Sequence, residues 1–378
     1  MTITIRTFLL ANLIFFVMTA NAQSQKSKPE DDYAIGLEKY YNGGYQFAIP
    51  FFTTAIKTNP GNYEALIYRG NCYTYLHQFK LAEKDFDKAS GHFHDNAKLD
   101  FAYGYLYNET GKYKKAIEYL DKAVSLDSKN ALAYNTRGVS YQRMGNPRKA
   151  IENYSAAIKV DSTLGIAYNN RGTAVYENQD VAAASSYDIK TAIKDFTKAL
   201  KYAPDLCIAM RNRGLAYGFI GKNELALKDL NSAISCEKDN SIFYLNRGAL
   251  LTTMKQYREA VDDFNSALSL DRKQPEAYIL LGEANDKEGN LQDAVMNEME
   301  AGIIDKTYKA LGDYNISRFY CLAKDKTLML KYLKTAKKEG YFKPLDNLAN
   351  FLKDNEFLKY KNDKDFEDFR NSVRGNRL

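Results

Sequence analysis

Proline, histidine and cysteine are scarce in this chain, and basic charge is nowhere concentrated. Seven prolines in 378 residues leave no material for long proline-rich or disordered linkers, so the body of the chain reads as folded. The four cysteines, Cys72, Cys207, Cys236 and Cys321, form no CxxC pair, which removes support for zinc-ribbon or thioredoxin-type chemistry. Of the three histidines, His92 and His94 fall in "HFHD" with no third ligand nearby in sequence, whereas a stable metal site needs three or four. No G-x-S-x-G, Walker A or H-E-x-x-H motif occurs, so the recognisable hydrolase, nucleotide and zinc-protease signatures are missing and no cofactor is expected. A net charge of +6 spread along the chain suits solubility rather than nucleic-acid binding.

Residues 1–22 differ in character from the rest. A short basic start ending at Arg6, an apolar stretch from Phe8 to Met18 and a small-residue exit at Ala20-Asn21-Ala22 form the pattern of a cleaved secretory signal. An uncleaved anchor is the alternative, although the apolar run is short for a membrane span. Residues 23–29 read as a short linker. No later run is apolar enough to cross a bilayer, so the expected location is periplasmic or secreted.

What the chain has in abundance is period. Gly36, Gly70, Gly104, Gly138, Gly172, Gly214, Gly248 and Gly282 step by 34 residues, except for one step of 42 between Gly172 and Gly214. Twelve residues after most of these glycines stands alanine (Ala48, Ala82, Ala116, Ala150, Ala226, Ala260), and four further on a large apolar residue (Phe52, Phe86, Leu120, Tyr154, Leu230, Phe264). Three after that comes alanine again. Offsets of four and three place these side chains on one face of a helix. Tyr73, Tyr107, Tyr141 and Tyr217, three after their glycines, mark the buried face of a preceding helix, and Gly- and Asn-bearing segments such as "TGKY" and "MGNP" separate the two.

The stretch "AYNTRGVSYQRMGNPRKAIENYSAAIKVDS" at 133–162 closely resembles the tetratricopeptide repeat. The resemblance extends over residues 30–340, with repeats near 30–62, 63–96, 97–130, 131–164, 165–206, 207–240, 241–274, 275–309 and 310–340. It implies an all-α, right-handed superhelical solenoid of antiparallel helix pairs, because one pair cannot bury its apolar face alone. The fifth repeat carries eight extra residues around "ENQDVAAASSYDIK", expected at its inter-helix turn or as longer helices on either side. The eighth has Glu298 in the aromatic slot. Residues 341–378 resemble a helical cap, with Leu348, Phe351, Phe357, Phe366 and Phe369 set to cover the exposed end of the stack.

The same resemblance implies a groove lined by first-helix residues around each glycine. Those slots hold Tyr68, Tyr75, Tyr105, Asn135, Asn169, Asn170, Tyr176, Arg211, Asn212 and Asn246. Asn170, Asn212 and Asn246 share one slot and could pair with the backbone of an extended peptide, or equally bridge neighbouring repeats. Related proteins that clamp a C-terminal carboxylate place lysine four positions before such asparagines; here Ile166, Ile208 and Ile242 stand there. Arg171 and its equivalents Arg69, Arg137, Arg213 and Arg247 are expected to lie along the seam between repeats. Cys207 and Cys236, at adjoining ends of the sixth helix pair, are placed so that a disulfide is geometrically possible. The implied function is a non-enzymatic scaffold that binds a protein or peptide, with an accessory subunit of an envelope enzyme or secretion complex as the alternative. About forty residues of C-terminal tail are too few for a separate catalytic domain.

Overall fold

The computed structural model describes residues 29–93, 95–177 and 186–375, and among them every regular element is helical. The helices are α1 (Pro29–Tyr41), α2 (Tyr45–Thr58), α3 (Tyr63–Tyr75), α4 (Phe79–Ser90), α5 (Ala97–Glu109), α6 (Tyr113–Leu126), α7 (Ala131–Arg143), α8 (Pro147–Val160) and α9 (Gly165–Glu177). They continue as α10 (Ser186–Tyr202), α11 (Cys207–Phe219), α12 (Asn223–Cys236), α13 (Ser241–Thr253), α14 (Tyr257–Leu270), α15 (Pro275–Glu288), α16 (Leu291–Ile304), α17 (Lys309–Leu322) and α18 (Lys326–Lys338). Three short helices follow, α19 (Leu345–Lys353), α20 (Asn355–Leu358) and α21 (Lys364–Arg374). The chain divides into two compact halves between α9 and α10. The proposed signal and residues 23–28 of the proposed linker lie outside the described residues, and Pro29 opens α1.

Several pairs are punctuated by the same chemistry at the same phase. Asn62, Asn96 and Asn130 cap α3, α5 and α7 by accepting the backbone N–H of Ala65, Leu99 and Ala133, which satisfies a donor the helix cannot. Seven residues after the repeat glycine the chain turns through left-handed backbone. Gly145 occupies that position at φ 72°, where it has no Cβ to strain. His77, Lys255 and Lys324 stand in the same phase at φ 57°, 62° and 61°, and as L-residues they bear that strain.

Packing within a pair centres on the glycine. A Cβ on Gly70 would stand 2.3 Å from a ring carbon of Phe86, and one on Gly138 2.6 Å from Tyr154. The absent side chain is therefore what admits the large residue sixteen positions on, and Phe52, Phe86, Leu120, Tyr154 and Phe264 are all fully buried. The flanking alanines, also fully buried, let the helix axes approach.

The arginine before the glycine joins successive pairs. Arg213 donates Nε and Nη2 to the two oxygens of Asp229, at 2.7 and 2.8 Å, inside its own pair. Its Nη1 reaches Thr197 of the preceding helix at 3.4 Å. Arg69 does the same with Asp85 and Thr53, and Arg247 with Asp263 and Asn231. Arg137 keeps the geometry with Asn153 and Asp121. Every contact is sixteen residues ahead or behind, so the charged head is held by two repeats at once. The third repeat exchanges both partners together: Tyr103 replaces the arginine and stacks on Tyr119 at 4.8 Å.

Of the two forms open to the insertion in the fifth repeat, lengthening of the helices is seen on one side only. α9 keeps the usual 13 residues, while α10 reaches 17 against 14 in α6, α8 and α12 by starting earlier. Residues 178–185, the rest of the insertion, lie outside the described residues.

Glu298 of α16 is 1% exposed in the slot that other repeats fill with an aromatic ring. One carboxyl oxygen accepts from Asn315 Nδ2 at 3.0 Å, and the other has no partner. Burial, with Glu283 adding repulsion against the relief from Asn315 and Arg318, pushes its carboxyl up to about 9, so the group is neutral at physiological pH. Beyond α18, Phe351, Phe357, Phe366 and Phe369 are buried in one cluster with Tyr314, Met329 and Leu333, closing the apolar end of the second half.

Candidate functional site

Within each half, neighbouring first helices touch, as α3 does α5 and α13 does α15, whereas neighbouring second helices stay farther apart. The first helices therefore line the inner side of each stack, and the candidate residues all lie on them.

In the first half the slots converge on aromatic side chains. Tyr68 stacks on the core ring of Phe52, meets Tyr40 edge-on at 5.2 Å, and shares a 3.1 Å hydroxyl contact with Tyr41. Tyr75 stacks face to face on Tyr45 at 4.2 Å and leans on Tyr105 at 5.3 Å. Tyr40, Tyr45, Tyr68, Tyr75 and Tyr105 thus form one continuous aromatic surface across three pairs. Tyr41 is 70% and Tyr75 37% exposed, so the surface meets solvent. Burial raises the phenols of Tyr68, Tyr75 and Tyr105, which keeps them protonated and able to donate. Tyr33, Tyr40 and Tyr41 were not among the residues read from sequence, yet the groove slots applied to Gly36 select all three.

The amides are engaged inside the protein. Asn169 donates to Asn170, which donates to Asn135 of the preceding repeat at 3.0 Å. Asn135 and Asn169 are buried, and Tyr176 is half-buried beside them. In the second half Arg211 donates to Asn246 at 2.6 Å and to Asn212 at 3.0 Å. The shared slot is therefore split between the halves, and two of its side chains, Asn170 and Asn246, bridge adjacent repeats, one of the two roles open to them from sequence. Ile208 and Ile242 are exposed where a carboxylate clamp would need cations.

The remaining candidates resolve plainly. Cys207 and Cys236 form a disulfide with Cα atoms 5.7 Å apart, tying α11 to α12, while Cys72 and Cys321 are buried free thiols. His92 stacks on Tyr63 at 4.0 Å; His94 lies outside the described residues. No helix among the described residues is long and apolar enough to cross a membrane.

Family models of the tetratricopeptide repeat match residues 104–145, 131–164 and 242–274. No curated protein matches the sequence. Among solved structures, PilW, described as a widely conserved type IV pilus biogenesis factor, is similar at 21% identity and a TM-score of 0.50, over 55% of this chain and 92% of that one. The Cut9–Hcn1 hetero-tetramer of the APC/C is similar at 14% identity and a TM-score of 0.57, over 92% of this chain and 64% of that one. At such identities the likeness speaks for the fold. The three family matches, taken with the 34-residue period, the packing of a large apolar residue over the glycine and the paired helices, make the chain a tetratricopeptide-repeat protein, an all-α solenoid of helix pairs.

Proposed function

We propose that this chain is a non-enzymatic scaffold that holds an extended segment of a partner protein against its first helices, in an exported compartment. The observation that carries the reading is the tyrosine surface of Tyr40, Tyr45, Tyr68, Tyr75 and Tyr105. Five rings locked by mutual stacking present amphipathic area at little conformational cost, the property that enriches tyrosine at binding surfaces. The amides Asn170 and Asn246 are occupied in joining repeats, which leaves the tyrosines as the exposed recognition chemistry of the first helices. The signal-like start and the Cys207–Cys236 disulfide together support an oxidising, exported location.

The test is site-specific photocrosslinking in cells with a benzoylphenylalanine at position 75, against a control at Glu118 on the exposed face of α6. A single stoichiometric adduct from position 75, lost in a Tyr41→Ser/Tyr105→Ser background that keeps its helicity, is the expected result. Adducts from position 118 alone, or none from 75, would overturn the reading. Fractionation that leaves the chain with the cytosol, its cysteines reduced, would overturn the exported location.

A further inference from the structure

The second half holds a polar cavity of about 230 Å³ on its first-helix side, between α13, α15 and α17. Glu283, Asp286 and Lys287 of α15 form one wall, and Arg318 and Phe319 of α17 the other, with Tyr257 at the rim. Glu283 and Asp286 stand one and four residues after the repeat glycine Gly282. No other repeat carries an acid in either slot: the first of them holds Leu37, Asn71, Tyr105, Val139, Thr173, Leu215 and Ala249, and the second is likewise uncharged.

This arrangement costs the free protein stability in two ways. Two carboxylates three residues apart on one helix repel each other. Both are also withdrawn from water: the Asp286 side chain is 11% exposed, and burial raises both acids above their usual range. Compensation within the chain is incomplete. Lys287 approaches Asp286 only to 3.8 Å and is 46% exposed. Arg318 is turned toward Asp354 of the cap at 3.5 Å, and its Nε, though buried, makes no hydrogen bond. No hydrogen bond or ion pair among the described residues reaches the Glu283 carboxylate. The charged groups lining the cavity are therefore two acids, Glu283 and Asp286, and two bases, Lys287 and Arg318, but the Arg318 head is drawn to Asp354 outside the lining, which leaves the acids under-compensated.

We propose that this cavity receives one lysine or arginine side chain of an extended partner segment, its cationic head between Glu283 and Asp286 and its methylene stem along Tyr257 and Phe319. The proposal rests on the groove reading above and adds a chemical preference to it. A guanidinium or ammonium there supplies a donor to Glu283 and a closer one than Lys287 to Asp286, relieves their repulsion, and lies within reach of aromatic faces. A divalent ion is served less well, because only two carboxylates face the space and two cations flank them.

The test uses the purified full chain and a library of acetylated, amidated nonapeptides whose central residue is lysine, arginine, norleucine or glutamate. Fluorescence polarisation should show the basic peptides bound about tenfold or more tighter than their norleucine counterparts, with the advantage shrinking as salt rises. Glu283→Gln/Asp286→Asn, which keeps shape and removes repulsion, should fold at least as well by circular dichroism and lose the preference. Peptides that bind with no preference for a central cation, or a preference that survives in the double variant, overturn the inference and leave the groove reading standing. Failure of every peptide to bind overturns both. Spermidine or calcium binding the cavity as tightly as the best peptide would assign it to a free cation and overturn the inference.

Discussion

Replacing Glu298 by glutamine should raise stability at alkaline pH and leave it unchanged under mild acid. In the unfolded chain this carboxyl ionises near its ordinary value, whereas in the native chain it keeps its proton up to about 9. Between those limits the native state binds one proton more than the unfolded state, so stability falls as pH rises, by about 1.4 kcal/mol per pH unit. From pH 5 to pH 8 the loss is on the order of 4 kcal/mol, concentrated in α16 and α17, where Glu298 meets Asn315. Glutamine preserves the volume and the oxygen that accepts from Asn315 but carries no titrating proton. Because stacked repeats open locally, the assay is amide hydrogen exchange of peptides from α16 and α17, corrected for the intrinsic effect of pH on exchange. The wild type should lose protection steadily from pH 5 to pH 8 and the variant should not. A wild-type opening free energy flat over that range, or a variant that tracks the wild type throughout, refutes the buried-acid argument.

Other perturbations test the packing and the seams. His77→Gly relieves left-handed strain at one turn and should stabilise the first half by about 1 kcal/mol in urea titrations, because an L-residue in that conformation costs about 1–2 kcal/mol. Gly138→Ala forces a Cβ into the ring of Tyr154 and should cost about 1–3 kcal/mol in the same titration. Arg213→Lys keeps the charge but surrenders the two-pronged grip on Asp229, so a loss of about 1–2 kcal/mol is expected, with faster exchange in α11 and α12. Reducing the Cys207–Cys236 disulfide, or replacing both cysteines by serine, should lower stability by about 3 kcal/mol for a loop of this length, read as a fall in the thermal midpoint with and without reductant.

The fold was open to reading because its determinants are local and recur. A glycine and the large apolar residue sixteen positions later answer to the same steric need in six repeats, so the copies together announce a pair of packed helices more clearly than any one does. The arginine seam was half visible. The column Arg69, Arg137, Arg213, Arg247 stands out, but its partners Asp85, Asn153, Asp229 and Asp263 emerge only on asking what lies sixteen residues ahead. The joint exchange to Tyr103 and Tyr119 carries the same information. Most of the tyrosine surface could have been found, since the slot that gave Tyr75 gives Tyr41 at Gly36 and the one beside it gives Tyr40, but Tyr45 opens a second helix and no groove slot selects it. The employment of the amides could not, because whether Asn170 faces a ligand or Asn135 depends on the offset between repeats, which no local pattern encodes. The acidic cavity was hidden for a similar reason: Glu283 and Asp286 look like ordinary surface carboxylates until Arg318, more than thirty residues on, closes the other wall.

The arginine seam also bears on how such a chain can lengthen or shorten. The guanidinium groups of Arg69, Arg137, Arg213 and Arg247 are each gripped by one residue sixteen positions ahead and another sixteen positions behind, in two different pairs. Cutting out a single helix would bring each surviving arginine against the wrong residue and strand a buried carboxylate. Removing or duplicating a whole 34-residue period instead rejoins an arginine with an equivalent acid ahead and an equivalent hydroxyl, amide or carboxylate behind. The gene can therefore gain or lose repeats only in full modules, and the odd step of 42 is tolerated where its extra residues enter between the helices of one pair, without altering the approach of the next arginine to Thr197 and Asp229.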